Sequence, residues 1–93
     1  MQLTGKRVEV RRDVLTRELR GESVLLDLAS ERYFGLDEVG TGMWRALTGG
    51  ATVEEALQAL EGEYDVEPGR LRSDVANFIA TLAEAGLVDV HEA

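Results

Sequence analysis

Side chains that commonly perform catalysis are few in this chain of 93 residues. His91 is the only histidine, and it stands beside Glu92 close to the end of the sequence. A general base must be held within hydrogen-bond reach of its target, so we expect His91 to be an exposed tail residue. Cysteine is absent, and no serine has a neighbouring base that would activate it. The sequence therefore predicts a protein that is not an enzyme and that holds no metal and no cofactor.

The acidic residues between positions 54 and 67 are the second group that could do chemistry, by binding a cation. A calcium loop needs alternating oxygen ligands around a glycine, and the pattern D-x-D-x-D-G does not occur. Thr52 and Glu55 match instead the T-x-x-E capping box that begins a helix. We therefore interpret these acids as solvated helix ends.

Gly40 and Gly42 flank a threonine near a predicted helix start, as the glycines of a phosphate loop do. The lysine of such a loop is missing, however, and Asp37 and Glu38 immediately precede it. We expect these glycines to allow close packing of a helix against a neighbouring element.

Composition limits the classes of protein that remain. The chain is 44% hydrophobic with a formal net charge of −8, and residues 37–93 hold twelve acids against three bases. Such an acidic body repels phosphate backbones, so nucleic acid is not an expected partner. No apolar run reaches the ~20 residues of a membrane span, and the N-terminal residues lack the hydrophobic region of a signal peptide. We expect a cytoplasmic protein with no membrane partner.

Alternating apolar residues predict a small antiparallel meander within residues 6–36. Its extended segments contain Val8 and Val10, residues 14–19, residues 23–28 and residues 32–36, with a hairpin turn at residues 20–22. In the third segment Val24, Leu26 and Leu28 share one face. In the last segment Phe34 and Leu36 point one way, and Tyr33 and Gly35 point the other way.

Helical periodicity follows in residues 38–86 and predicts three amphipathic helices. Asp37 is the expected N-cap of the first helix and Gly49-Gly50 its end, while Pro68 suits the start of the third and Gly86 its end. The expected apolar positions are Val39, Met43, Trp44 and Leu47, then Val53, Ala56, Leu57 and Leu60, then Leu71, Val75, Phe78, Ile79 and Leu82. Residues 87–90 are predicted to form a short terminal strand.

This order of elements predicts one α+β domain over residues 1–93, with strands in 6–36 and helices in 38–86. A three-stranded antiparallel sheet followed by three helices is typical of a winged helix-turn-helix-like arrangement.

The distinctive segments of the sequence are residues 24–28, residues 32–40, Met43-Trp44, Asp74-Val75, Phe78-Ile79, Leu82 and residues 85–88. In this order and spacing they strongly resemble the PqqD-like family, the recognition domains of ribosomally made, post-translationally modified peptides. The resemblance covers about residues 11–90, and within the family the short free-standing form is similar to the leader-binding proteins of lasso peptide biosynthesis. The sequence departs from the common family pattern at Ser30-Glu31, where a Ser-Gly turn is usual, and at Met43, where Ile or Leu is usual.

The resemblance implies that a precursor leader peptide binds as an added antiparallel strand along residues 32–36, in a groove against the third helix. The residues it implies for this site are Arg32, Tyr33, Phe34, Gly35, Leu36, Leu71, Asp74, Val75, Phe78 and Leu82. Residue chemistry is compatible with this, since strand edges accept extended peptides and Gly35 lets a second backbone approach. The resemblance also implies delivery to a leader peptidase and a cyclase. Because an exposed apolar edge and groove can self-associate, we expect a monomer or a weak dimer.

Two alternatives remain open from the sequence. A PqqD-type peptide chaperone for a radical modifying enzyme would use the same groove with a different partner. A winged-helix DNA-binding regulator would need a basic recognition helix. The third helix offers Arg70, Arg72 and Asn77 for that purpose, against Asp74 and Glu84.

Overall fold

The computed structural model describes residues 5–92 apart from the Pro68 side chain, so residues 1–4 and 93 of the expected domain lie outside it. The predicted α+β fold is confirmed. Five strands and three helices follow one another as β1 (Lys6–Val10), β2 (Val14–Leu19), β3 (Glu22–Asp27), β4 (Arg32–Leu36), α1 (Glu38–Thr48), α2 (Val53–Glu63), α3 (Pro68–Glu84) and β5 (Val88–Glu92).

The strands form two sheets rather than one meander. β2, β3 and β4 make the predicted three-stranded antiparallel sheet, in that order. The expected place of β1 in the same meander is wrong, because β1 pairs with the terminal strand β5, Val8 lying opposite Val90. A turn in which the Val14 N–H donates to the Arg11 carbonyl at 3.0 Å separates β1 from β2. Periodicity predicts that a strand exists, but its partner depends on how the chain turns.

The predicted turn between β2 and β3 is confirmed as a two-residue hairpin loop. Leu19 pairs with Glu22, and the intervening Arg20 and Gly21 have φ values of 56° and 84°. Two consecutive positive φ values are typical of the turn whose twist matches that of antiparallel strands.

β3 shows which face of the sheet meets the helices. Leu25 is 0% exposed and lies in the core, and Ser23 is buried where its hydroxyl shares a 2.8 Å hydrogen bond with that of Thr41. Val24 and Leu28 are exposed on the opposite side. The predicted face of Val24, Leu26 and Leu28 is therefore present in β3, but it points away from the core.

The start of α1 matches its sequence signals, since the Asp37 carboxylate accepts the Gly40 N–H at 2.8 Å. Met43, Trp44 and Leu47 are buried as expected, whereas Val39 is exposed. A Cβ on Gly42 would clash with the Tyr64 hydroxyl, which confirms that this glycine allows close packing.

α2 and α3 carry the predicted caps. The end of α3 is closed by Gly86 at φ 77°, with the Gly86 N–H on the Ala83 carbonyl at 3.1 Å and the Leu87 N–H on the Leu82 carbonyl at 3.0 Å. This pair of bonds satisfies carbonyls that a helix end leaves free. It also directs the chain into β5, which places the terminal strand beside β1.

The capping box of α2 is a test of this local structure. The Thr52 hydroxyl accepts the Glu55 N–H at 3.2 Å, and the Glu55 carboxylate accepts the Thr52 N–H at 2.9 Å. The Thr52 N–H and the Thr52 hydroxyl, which donates to the same carboxylate at 3.1 Å, hold the pKa of Glu55 below its ordinary value. Thr52→Ala is expected to lower the free energy of unfolding by about 1 kcal/mol.

Glu55→Ala is expected to lower Tm at pH 7, because the ionised carboxylate is the better acceptor. A folded-state pKa below the unfolded value means that this stabilisation is present above the unfolded pKa and is lost as pH falls through the folded pKa. Thermal denaturation at pH 7 and below pH ~4 measures the difference, with the exposed Gln58→Ala as the control on the same helix. A Tm deficit of Glu55→Ala that persists undiminished in acid would contradict the assignment.

Candidate functional site

β4 lies at one end of the three-stranded sheet, and no other strand of residues 5–92 pairs with its outer side. Such an edge presents backbone N–H and C=O groups that a second extended chain can bind. The structure therefore places the predicted site strand, residues 32–36, where strand addition is possible.

The hydrogen-bond pattern determines which β4 residues face outward. In antiparallel sheets, alternate residues of a middle strand bond to the two neighbouring strands. The Leu28 N–H donates to the Asp13 carbonyl at 2.8 Å and continues the ladder between β2 and β3. Even-numbered residues of β3 therefore bond to β2, while odd-numbered ones such as Leu25 bond to β4, where Phe34 lies opposite.

Tyr33 and Gly35 consequently direct their N–H and C=O groups to the free edge. Their side-chain positions lie on the sheet face away from the core, where Tyr33 is 74% exposed and a Cβ on Gly35 would meet no atom within 4 Å. A peptide strand added here would thus meet two backbone donors and two backbone acceptors without displacing any side chain.

The other face of β4 points toward the helices. Phe34 and Leu36 are half-buried and pack against the hydrophobic core. The exposed Arg32 guanidinium lies 5.5 Å from the centre of the Phe34 ring, within the range of a cation–π contact. This part of the strand therefore combines an aromatic surface with a positive charge.

The α3 residues of the predicted site divide into buried and accessible groups. Leu71, Val75 and Leu82 are at most 4% exposed and belong to the core. Phe78 is half-buried and packs against the same core as Phe34. Among the predicted apolar site residues on α3, Phe78 is therefore the one that remains partly exposed. It packs on the core to which the three buried residues belong.

Polar residues lie on the accessible side of α3. Asp74 is exposed and forms an ion pair at 3.6 Å with Arg70, one helical turn earlier. The Thr81 hydroxyl donates to the Asn77 carbonyl at 2.9 Å and is therefore already occupied within the helix. The Asp74 and Asn77 residues are both exposed on this side of the helix.

The candidate catalytic residue His91 lies on β5, and the candidate cation-binding acids lie in α2 and the segment after it. His91 is exposed, as predicted, but it belongs to β5 rather than to a tail, since it lies opposite Arg7 of β1 and 3.4 Å from Glu9. Within residues 5–92 no three histidine or acidic side chains are grouped so that they could hold a metal ion. Among the described helices, none combines the length and apolar character that crossing a membrane requires.

Sequence reasoning did not single out the solvent-facing side of β2–β3–β4, where Leu15 and Leu19 are exposed. Leu15 and Leu19 are four residues apart in β2, a spacing that predicts one shared face. Alternation alone, however, does not tell whether that face is covered by the helices.

Comparison of the sequence with protein-family models shows the family of this chain. Residues 22–88 match the family described as Coenzyme PQQ synthesis protein D (PqqD). The chain belongs to the PqqD family. The matched range begins with β3 and reaches the first residue of β5, so it includes β4 and the whole of α3. The resemblance predicted from the sequence is confirmed.

One curated relative of this PqqD-family chain is the bifunctional coenzyme PQQ synthesis protein C/D of Methylorubrum extorquens. The two are 32% identical over 72 residues, which cover 77% of this chain. The chain spans only 19% of the length of that relative.

Two solved structures share the fold of this PqqD-family chain. TbiB1 in complex with the TbiA(beta) leader peptide has a TM-score of 0.83 and 33% identity, over 87% of this chain and 94% of that one. Lasso peptide synthetase B1 complexed with the leader peptide has a TM-score of 0.79 and 26% identity, over 91% of this chain and 98% of that one. Both structures therefore align over nearly their full length.

Proposed function

We propose that this chain is a non-catalytic module that binds the leader region of a ribosomally made precursor peptide in lasso peptide biosynthesis. The observation that carries the proposal is the free edge of β4, where the Tyr33 and Gly35 backbone groups point outward. The similarity to two proteins solved with leader peptides supports it.

In this proposal the leader adds to β4 as an antiparallel strand and lies in the groove between β4 and α3. Backbone hydrogen bonds supply affinity, and alternate leader side chains supply specificity. The leader side chains that point toward α3 contact Phe34, Leu36 and Phe78. These three side chains pack in turn on the buried core residues, which include Leu71, Val75 and Leu82.

Charges at the two walls of the groove have opposite signs. Arg32 lies on the strand wall and Asp74 on the helix wall, and both are exposed. An extended leader with an acidic group near Arg32 and a basic or polar group near Asp74 would be oriented by these contacts. Exposed pairs contribute little affinity, so we assign them to orientation and register.

Binding of the leader would serve delivery to a leader peptidase and a cyclase. A bound leader converts the enzyme's encounter with the precursor into an effectively intramolecular step, which raises the local substrate concentration. No chemistry by this chain is needed for that effect.

The second candidate function is a peptide chaperone for a radical modifying enzyme, as implied for PqqD itself. The family match and the curated relative, a coenzyme PQQ synthesis protein, favour it. The groove would be the same, and the two functions would differ only in the precursor and the partner enzyme.

DNA binding is disfavoured by the charges of α3. Arg72 lies 3.3 Å from Glu54 and Arg70 lies 3.6 Å from Asp74, so both arginines of the would-be recognition helix face a carboxylate. The net charge of −8 further repels a phosphate backbone.

An NMR titration of the isotope-labelled chain tests the proposal. With lasso precursor leaders, the TbiA(beta) leader among them, we expect saturable amide shifts confined to residues 32–36 and 71–82. PQQ precursor peptide tests the second candidate, and duplex DNA is the negative control. Saturable shifts only with the PQQ precursor would favour the second candidate. No shifts with any peptide, together with salt-sensitive shifts on DNA, would reject leader binding.

A further inference from the structure

The terminal strand β5 has a free sheet edge of its own. Within residues 5–92 it pairs with β1 alone. The Arg11 N–H donates to the Leu87 carbonyl at 3.1 Å, which continues this ladder by one residue pair. Odd-numbered residues of β5 therefore bond to β1, and Val88 and Val90 direct their N–H and C=O groups to the other side. Val88 is 2% exposed and Val90 is half-buried, so an added strand would bond at Val90.

A groove separates this edge of β5 from α3. It has a volume of about 530 Å³ and lies between residues 88–90 of β5 and four residues of α3, which are Ala76, Ile79, Ala80 and Ala83. Ile79 is buried in the core and the other three side chains are methyl groups, so the α3 wall is apolar and shallow. A free strand edge beside an apolar wall suits an extended peptide, whose backbone bonds to the strand while alternate side chains enter the groove.

This groove and the proposed leader groove lie on opposite sides of α3. At about 3.6 residues per turn, Ala76, Ala80 and Ala83 are centred roughly half a turn around the helix from Asp74 and Phe78. The width of the helix would therefore separate a peptide bound at β5 from a leader bound at β4. Both can bind at the same time.

The rim of the groove is acidic where α3 ends. Glu84 lies one turn after Ala80, is exposed, and belongs to none of the ion pairs within residues 5–92. The last turn of α3 holds no basic residue, and the partial negative charge of a helix C-terminus makes a carboxylate there unfavourable. Asp89 adds a second carboxylate to the groove, 3.9 Å from Arg11. A basic residue of a bound segment beside Glu84 would offset this negative charge.

Charge and size indicate what kind of partner fits. Two copies that paired through β5 would bring together bodies with a formal net charge of −8 each, which disfavours a second copy. A standard stable interface buries about 800 Å² on each partner, far more than one short strand can offer, and smaller contacts are typical of transient encounters. The groove therefore suits a basic extended segment of a transient partner.

The groove begins near the place where the precursor would leave the leader site. A leader antiparallel to β4 has its C-terminal end at Arg32, which lies opposite Asp27. Asp27 and Gly86 line one depression of about 310 Å³, and Gly86 closely precedes β5. The part of the precursor that follows the leader would therefore emerge beside the start of β5.

This position favours an enzyme that acts on the core peptide, the part of the precursor after the leader. Once a leader peptidase has cut the precursor, the bound leader no longer holds the core peptide. An enzyme that acts on the released core gains from local concentration only if the module holds that enzyme directly. Of the two enzymes in the proposed function, this one is the cyclase.

We propose that the groove between β5 and α3 docks a basic extended segment of the cyclase, which adds to β5 as a strand at Val90 and places a lysine or arginine beside Glu84. This inference rests on the proposed leader-binding function. Because the two grooves lie on opposite sides of α3, the cyclase docks with or without bound leader.

The experiment measures two affinities for each variant. A fluorescein-labelled leader reports leader binding by anisotropy, and the cyclase of the same pathway is titrated onto the immobilised chain without leader. Ala80→Gln fills the groove from an exposed helix position, and Glu84→Lys reverses the charge of the rim. Val90→Pro removes the N–H that donates to the added segment. Glu61→Lys is the matched control, because Glu61 is likewise exposed in the last turn of a helix, α2.

We expect Ala80→Gln and Val90→Pro to weaken cyclase binding at least about tenfold, because each leaves groups of the bound segment without their contacts. Glu84→Lys should weaken it about fivefold, as expected for an exposed charge pair. The leader Kd should stay close to that of wild type in all three variants. Val90→Pro leaves the β1–β5 ladder intact, and the two α3 variants keep the test valid if this variant folds poorly. Glu61→Lys should change neither affinity.

Cyclase binding that all three groove variants leave unchanged would overturn the docking site, and so would a wild type that binds leader but not cyclase. Sedimentation of the wild type as a dimer that Val90→Pro abolishes would overturn it in favour of a second copy. A wild type that binds cyclase but not leader would reject the proposed function instead, so the two failures are distinguishable.

Discussion

Gly35→Pro is expected to weaken leader binding by at least about tenfold, while Gly35→Ala binds almost as wild type. Proline removes the Gly35 N–H, which points to the free edge of β4, and leaves a carbonyl of the leader without its donor. An unsatisfied group at an interface costs about 1–3 kcal/mol, and ~1.4 kcal/mol corresponds to a factor of ten. Alanine keeps the N–H, and its Cβ would meet no atom within 4 Å.

Comparing proline at position 35 with proline at position 34 separates loss of leader binding from loss of folding. Gly35→Pro leaves the ladder between β3 and β4 intact, because that ladder uses the Phe34 backbone opposite Leu25. Phe34→Pro should therefore destabilise the fold itself, whereas Gly35→Pro should melt close to wild type. Leader titration and thermal denaturation of both variants measure this. Unchanged leader affinity in a folded Gly35→Pro would show that the leader does not pair with this edge.

Leu25→Ala is expected to lower the free energy of unfolding by about 3 kcal/mol. Leu25 is 0% exposed at the centre of β3, and removing a buried isobutyl group loses its transfer free energy and leaves a cavity. This loss is a large part of the ~5–15 kcal/mol that stabilises a typical domain.

Val24→Ala is the matched control for Leu25→Ala. Val24 is the preceding residue of the same strand, is 45% exposed and points to the solvent-facing side of the sheet, so its truncation should cost under about 1 kcal/mol. Urea denaturation at constant m-value compares the two variants. A larger loss for Val24→Ala than for Leu25→Ala would mean that the sheet packs its other face on the helices.

Much of the local structure could be predicted from the sequence, because its causes are local. The Asp37 and Thr52 caps and the Gly86 helix end involve residues only three to five positions apart, so their side-chain types suffice. The site strand and the alternation of Phe34 against Tyr33 along it were predicted for the same reason, since period 2 is a property of the extended backbone.

Long-range choices could not be predicted in this way. The alternation in β3 is visible in the sequence, yet it does not tell that Leu25 rather than Val24 faces the helices, because both faces carry apolar residues. That choice depends on which side α1 covers, and α1 begins eleven residues after β3 ends.

The secondary-structure elements, their caps, the family resemblance and the strand of the proposed site can all be predicted from sequence alone. The pairing of β1 with β5, the edge position of β4 and the outward direction of the Tyr33 and Gly35 backbones become visible only in the folded chain. Caps and periodicity arise between neighbours in the chain. Edges, faces and hydrogen-bond direction arise from the pairing of distant strands, and no short stretch of sequence contains that information.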